Sequence, residues 1–154
     1  MKAKNKNLLC TLFTMSCVLM GYFFLFPLRT TEVVAVHEDG EFSSVLVKNF
    51  PFTDRGKIDW WIKKNLELKE KYNIPKPDSD GFSSIVFWDF GDGYKEEGKY
   101  DRRCFTDMKP PINCIDKKSL MIVRNFNKKI TFISLDSGTY RIYKKGKIVK
   151  NKSE

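Results

Sequence analysis

Residues 8–28 run for 21 positions without a charged side chain, and everything after them is polar, mixed and rich in turns. At about 1.5 Å of rise per residue, a helix of that length covers the roughly 30 Å hydrocarbon core of a bilayer. The pattern predicts a single-pass membrane anchor at 8–28 carrying one small domain. Lys2, Lys4 and Lys6 precede the run and only Arg29 follows closely. That bias places the N-terminus (1–7) in the cytoplasm and residues 29–154 outside it. A cleaved secretory signal shares the basic start, but its apolar stretch is shorter and closes on a small-x-small site. Here the run ends in Phe24-Leu25-Phe26-Pro27-Leu28. A lipoprotein signal finds only Ser16 and Cys17 of its box. The uncleaved anchor is the reading carried forward.

Beyond the run the period of apolar residues changes. Residues 31–37, with Val33-Val34-Ala35-Val36, and residues 42–50, with Val45 and Val47, flank the turn Glu38-Asp39-Gly40 and predict a β-hairpin ended by Pro51. Thr53-Asp54 can cap a helix with Ile58, Trp61, Ile62, Leu68 and Tyr72 on one face, interrupted by Asn65 and stopped by Pro75 and Pro77. The run 82–90 (Phe-Ser-Ser-Ile-Val-Phe-Trp-Asp-Phe) is the strongest strand pattern in the chain. A meander follows at 119–124, 129–135, 139–143 and 147–150, with turns at 125–128, 136–138 and 144–146. The predicted fold class is α+β: a transmembrane helix, then a small domain of antiparallel strands with one main helix.

The formal charge of +9 overstates the domain's bias, since setting aside Lys2, Lys4 and Lys6 leaves 25 cations against 19 anions. Lys144, Lys145, Lys147, Lys150 and Lys152 crowd the end. Such runs can meet phosphates or lipid headgroups but more often form a solvated tail. No nucleic-acid motif accompanies them. Cys10 and Cys17 fall in the apolar run, where a thiol behaves as a small apolar group. Cys104 and Cys114 bound a short loop containing Lys109-Pro110-Pro111, and in an exported domain they are expected to pair as a disulfide.

Candidate chemistry is sparse. Two cysteines and His37, the sole histidine, fall short of a zinc ligand set, and no metal or cofactor is expected. Asp78, Asp80 and Gly81 begin like a calcium loop, but Phe82, Ser83 and Asp89 stand where its later residues are required. Asp89-Phe90-Gly91 matches a kinase tripeptide without the rest of the kinase set. The acidic turn of Asp89, Asp92, Glu96 and Glu97 leaves a cation open, though acidic turns are common. His37 sits at a strand end in no recognised motif and reads as a solvated loop residue. No catalytic residue is assigned. Trp60, Trp61, Trp88 and Tyr94 are the candidate partner-binding residues, because an exposed aromatic ring is a common binding anchor. For the adjacent tryptophans, packing of helix on sheet is the competing role.

Asn49-Phe50-Pro51, Thr53-Asp54, Gly56-Lys57-Ile58 and Trp60-Trp61 lead into the stretch 74–81 (Ile-Pro-Lys-Pro-Asp-Ser-Asp-Gly). With the run 87–95, Lys99-Tyr100-Asp101, the Cys104 and Cys114 pair and the apolar N-terminus, they resemble an enterobacterial family of putative membrane proteins, a domain of unknown function. The resemblance covers nearly the whole chain and implies a Gram-negative inner membrane with a periplasmic domain. It brings no activity and no functional residues. The leading expectation is a non-enzymatic, membrane-anchored protein with a periplasmic binding domain and a protein partner, immunity to a toxin being one form of this. An envelope assembly or structural subunit is the alternative, and an enzyme acting on an envelope substrate the third reading.

Overall fold

The computed structural model describes residues 2–25, 30–126, 130–143 and 146–151, and in the first of these stretches the side chains of residues 10–22. The chain divides into two units, 1–30 and 31–154. The first unit contains helix α1 (Lys2–Leu25). Among the described residues no helix is long and apolar enough to cross a membrane, which overturns the predicted span. The predicted span's exit at 26–29, the side chains of Lys2, Lys4 and Lys6, the turn residues 127 and 128, and Lys144, Lys145 and Lys152 lie outside the described residues.

The second unit opens with the hairpin, β1 (Glu32–Asp39) and β2 (Phe42–Lys48), closed by Gly40 at φ +59°, where a glycine has no Cβ penalty. Helix α2 (Asp54–Tyr72) follows. Thr53 caps it, its hydroxyl oxygen accepting from the Gly56 amide at 3.1 Å, and Asn73 ends it in the left-handed region. Ile58, Trp61 and Leu68 face the core, but Ile62, one of the predicted apolar positions, is 44% exposed. Lys57 is buried instead, and its ammonium donates to the Leu120 carbonyl at 2.9 Å. Asn65 turns back on the helix and donates to the Trp61 and Ile62 carbonyls.

Strand β3 (Ser83–Asp89) pairs parallel with β2, since α2 carries the chain back to its starting end, and this corrects the all-antiparallel expectation. The meander β7 (Ser119–Phe126), β8 (Ile130–Leu135), β9 (Gly138–Tyr143) and β10 (Ile148–Lys150) completes a seven-stranded sheet in the order β1-β2-β3-β7-β8-β9-β10. Between β3 and β7, three strands unforeseen in the sequence, β4 (Lys95–Glu96), β5 (Arg102–Cys104) and β6 (Ile112–Asp116), form a second sheet in the order β4-β6-β5. They are too short to show alternation. The fold class is therefore mostly β with two helices rather than α+β.

Two cores follow from this layering. On one face of the large sheet, α2 covers Val45, Val47, Ile85, Phe87, Met121, Val123 and Ile133. Phe87 is their centre, with the rings of Phe50, Trp60 and Trp61 around it at 5.5–6.0 Å between centroids. On the opposite face the small sheet brings Phe105 and Ile115 onto Leu46, Val34, Ala35 and Trp88. Among the described residues, the sheet positions packed under that second cover come from β1, β2 and β3.

Candidate functional site

A β-bulge between Val33 and Ala35 decides where His37 points. Val33 is opposite Val47 on the helix side, yet Ala35 is opposite Leu46 and His37 opposite Ser44, on the face under the small sheet. Without the extra residue, strict alternation would put positions 33, 35 and 37 on one face. His37 is consequently 8% exposed, which corrects its reading as a solvated loop residue. Its ring stacks on Phe105 with centroids 3.9 Å apart and planes 12° apart. Nδ1 lies 3.0 and 2.9 Å from the two oxygens of Asp107, and Nε2 lies 2.8 Å from the Tyr94 hydroxyl. An ionised carboxylate only accepts, so Nδ1 carries the hydrogen, and when the ring is neutral Nε2 accepts from the phenol.

Asp, His and a hydroxyl in this order have the connectivity of a nucleophile triad. Burial, and secondly the charge of Asp107, push the Tyr94 phenol above its ordinary range. A raised phenol keeps its hydrogen near pH 7, so the Tyr94 hydroxyl is held as a partner for Nε2. The three side chains act as a polar latch between β1 and the loops that border the small sheet. Cys104 and Cys114 fasten that sheet from within: they are directly opposite on β5 and β6 and joined by a disulfide with S–S 2.03 Å. On its rim, Asp116 accepts from Lys95 at 2.5 Å and from Arg102 at 3.4 Å. The Lys95 bond is the main cause that lowers the Asp116 carboxyl and raises the Lys95 ammonium.

The four aromatic side chains singled out in the sequence are all engaged inside the fold. Trp61 is 7% exposed, and Trp60 packs edge-on against Phe50 and Phe87. Trp88 donates from its indole to the Ser44 hydroxyl at 3.3 Å, and Tyr94 belongs to the latch. The acidic turn is tied down by cations: Lys118 donates to Asp89 at 2.8 Å, raising the lysine, and Lys95 reaches Asp92 at 3.5 Å. Asp78 accepts the amides of Asp80 and Phe82 at 2.9 and 2.8 Å, the geometry of a turn. Among the described residues no group of three His, Cys, Asp or Glu side chains is placed to hold a metal ion.

The surface the sequence did not announce is the back of β7, β8 and β9, beyond the reach of the small sheet. Pairing of Val123 with Ile133 and of Ile133 with Tyr140 puts those residues on the helix side, and so Arg124, Phe126, Phe132, Ser134, Thr139 and Arg141 on the other. There Arg124, Phe126, Phe132, Ser134 and Thr139 line an open depression of about 490 Å³. A row of touching rings, Phe42, Phe82, Phe126 and Phe132, with centroids 5.3–6.0 Å apart, borders it. Phe42 and Phe126 are 47% and 42% exposed. The Arg141 guanidinium lies 5.0 Å from the centre of the Phe132 ring and donates to the Tyr143 hydroxyl at 3.3 Å. Strand alternation gave both faces of this meander comparable polarity, so the exposed side could not be told from the covered one by sequence.

No curated protein and no solved structure matches the chain. A family model, Enterobacterial putative membrane protein (DUF943), matches residues 2–152. With the match running through both units and the whole of each sheet, the chain belongs to this enterobacterial family of putative membrane proteins, whose function is unknown.

Proposed function

We propose that this is a non-enzymatic binding protein of the bacterial envelope, whose folded unit 31–154 works in the periplasm and docks a protein partner on the back of β7, β8 and β9. The observation that carries the reading is the uneven cover of the large sheet. The same face that is sealed under the small sheet at Leu46 and Trp88 continues as an open, aromatic-lined depression at Phe126 and Phe132. Exposed aromatic residues beside arginine are the composition of binding surfaces. The Cys104–Cys114 disulfide supports an oxidising compartment, and the family description supports a membrane association.

Two measurements test this. A periplasm-dependent reporter fused after Glu154 should be active, and activity only of a cytoplasmic reporter would reverse the location. A photo-crosslinking amino acid at Thr139, in living cells, should give one discrete protein adduct that the same group at Lys63 on α2 does not. Absence of any adduct from Thr139 would defeat the docking reading.

A further inference from the structure

The chemistry of the depression narrows what fills it. Across β7, β8 and β9 the outward side chains include two guanidiniums, Arg124 and Arg141, and no carboxylate. Among the described residues neither arginine has an ion-pair partner, a state they share with Arg103, while Lys95 has two and Arg102, Lys117 and Lys118 one each. The Arg141 guanidinium lies 5.0 Å from the centre of the Phe132 ring, donates from Nη1 to Tyr143, and has a buried Nε with no hydrogen-bond partner among the described residues.

Resting on the docking reading above, we infer that the occupant is an acidic protein segment, with an Asp or Glu carboxylate held by Arg124 and Arg141 and an apolar side chain against Phe126 and Phe132. The alternatives fit the same surface less well. A second copy of this chain is cationic, at +9 overall. A two-fold contact through this face would also set its own guanidiniums against each other. An anionic lipid surface is typically met by clusters of four to eight cations, mostly as point charges. One arginine lining a concave, aromatic-walled depression, Arg124, and a second at its border beside Phe132, Arg141, suit the planar, bidentate carboxylate.

The test uses full-length protein in neutral detergent micelles and a fluorescein-labelled decapeptide alternating glutamate and phenylalanine. Its control is the same peptide with glutamine for glutamate. The acidic peptide should bind at least tenfold more tightly than the glutamine peptide. The double variant Arg124→Glu/Arg141→Glu should lose at least tenfold in affinity. The charge-matched double variant Lys63→Glu/Lys71→Glu, altered at exposed positions on α2, on the opposite face of the sheet, should stay within twofold. Equal losses in both variants, or equal binding of both peptides, would overturn the inference. So would arginine-dependent binding of phosphatidylglycerol vesicles without binding of the acidic peptide. The Thr139 adduct separates the two levels. If it forms in the wild type and persists undiminished with both arginines reversed, docking stands and the acidic partner falls.

Discussion

The imidazole of His37 and the carboxylate of Asp107, 70 positions apart in the chain, meet through both carboxylate oxygens at 2.9 and 3.0 Å. This contact joins the first strand of the large sheet to the turn that follows β5. His37→Ala would leave the Tyr94 hydroxyl without its acceptor and open a gap against Phe105, costing about 1–3 kcal/mol for the unmade hydrogen bonds alone. Asp107→Asn, whose amide oxygen still accepts from Nδ1, should cost less than half as much. Urea unfolding of the unit checks the ranking, and a His37→Ala loss under 0.5 kcal/mol would show that the latch is not structural.

Alkaline pH acts on the same latch. Because Tyr94 titrates higher in the folded unit than in the unfolded chain, its contribution is complete below the unfolded value, near 10. It is lost as pH rises through the raised folded value. The melting temperature of the wild type should therefore fall more steeply above about pH 10 than that of Tyr94→Phe, which has no proton to lose. Parallel curves would assign the alkaline loss to other groups.

Acid acts at the start of α2. The hydroxyl of Ser137 first, and that of Tyr140 second, hold the Asp54 carboxyl below its usual range, the Tyr140 bond measuring 2.8 Å. A depressed carboxyl stabilises the fold above its unfolded value and stops doing so as pH falls through the lower folded value. Asp54→Asn should be less stable at neutral pH by up to about 1 kcal/mol, the usual range for an acidic group in a first helical turn. The gap to wild type should close as pH falls through the lowered folded value. Stability measured from pH 7 downward tests the convergence.

Reduction should loosen the small sheet. The Cys104–Cys114 bond closes a loop with a separation of 10 residues, so Cys104→Ser or Cys114→Ser should cost about 2–3 kcal/mol by chain entropy. Thiol labelling of unfolded, unreduced protein should leave both positions unmodified and label them after reductant. Free labelling of both in protein taken directly from the envelope would contradict the bond.

What could be read from the sequence was local. The cap at Thr53, the spacing of Ile58, Trp61 and Leu68, and the strand at 83–89 are written in near neighbours, and so were recognisable. The parallel partner of that strand was not, because alternation gives a strand's faces and not its direction. The bulge at Val33–Ala35 shifts the phase of β1 midway, so alternation assigns His37 to the wrong face. Strands of two and three residues, β4 and β5, carry too little pattern to register and exist through the partners they meet. The depression on the back of the meander depends on where the small sheet stops, a fact of tertiary layering. Trp60 and Trp61 were visible as large rings, but only packing shows that Phe87 occupies them.

The position of β3 has a practical consequence for anyone shortening this chain. Its two neighbours come from opposite ends of the unit, β2 before the helix and β7 beyond residue 118. Among the described residues the outer strands of the large sheet are β1 and the lysine-bearing β10, while β3 is interior. A fragment ending before residue 119 would turn β3 into a bare margin, with Ile85, Val86 and Phe87 beside a row of unclaimed amides and carbonyls. Such a fragment should recruit other chains to fill the gap and appear as insoluble material. Removing residues from 144 onward would take away only β10 and leave that interior strand paired on both sides.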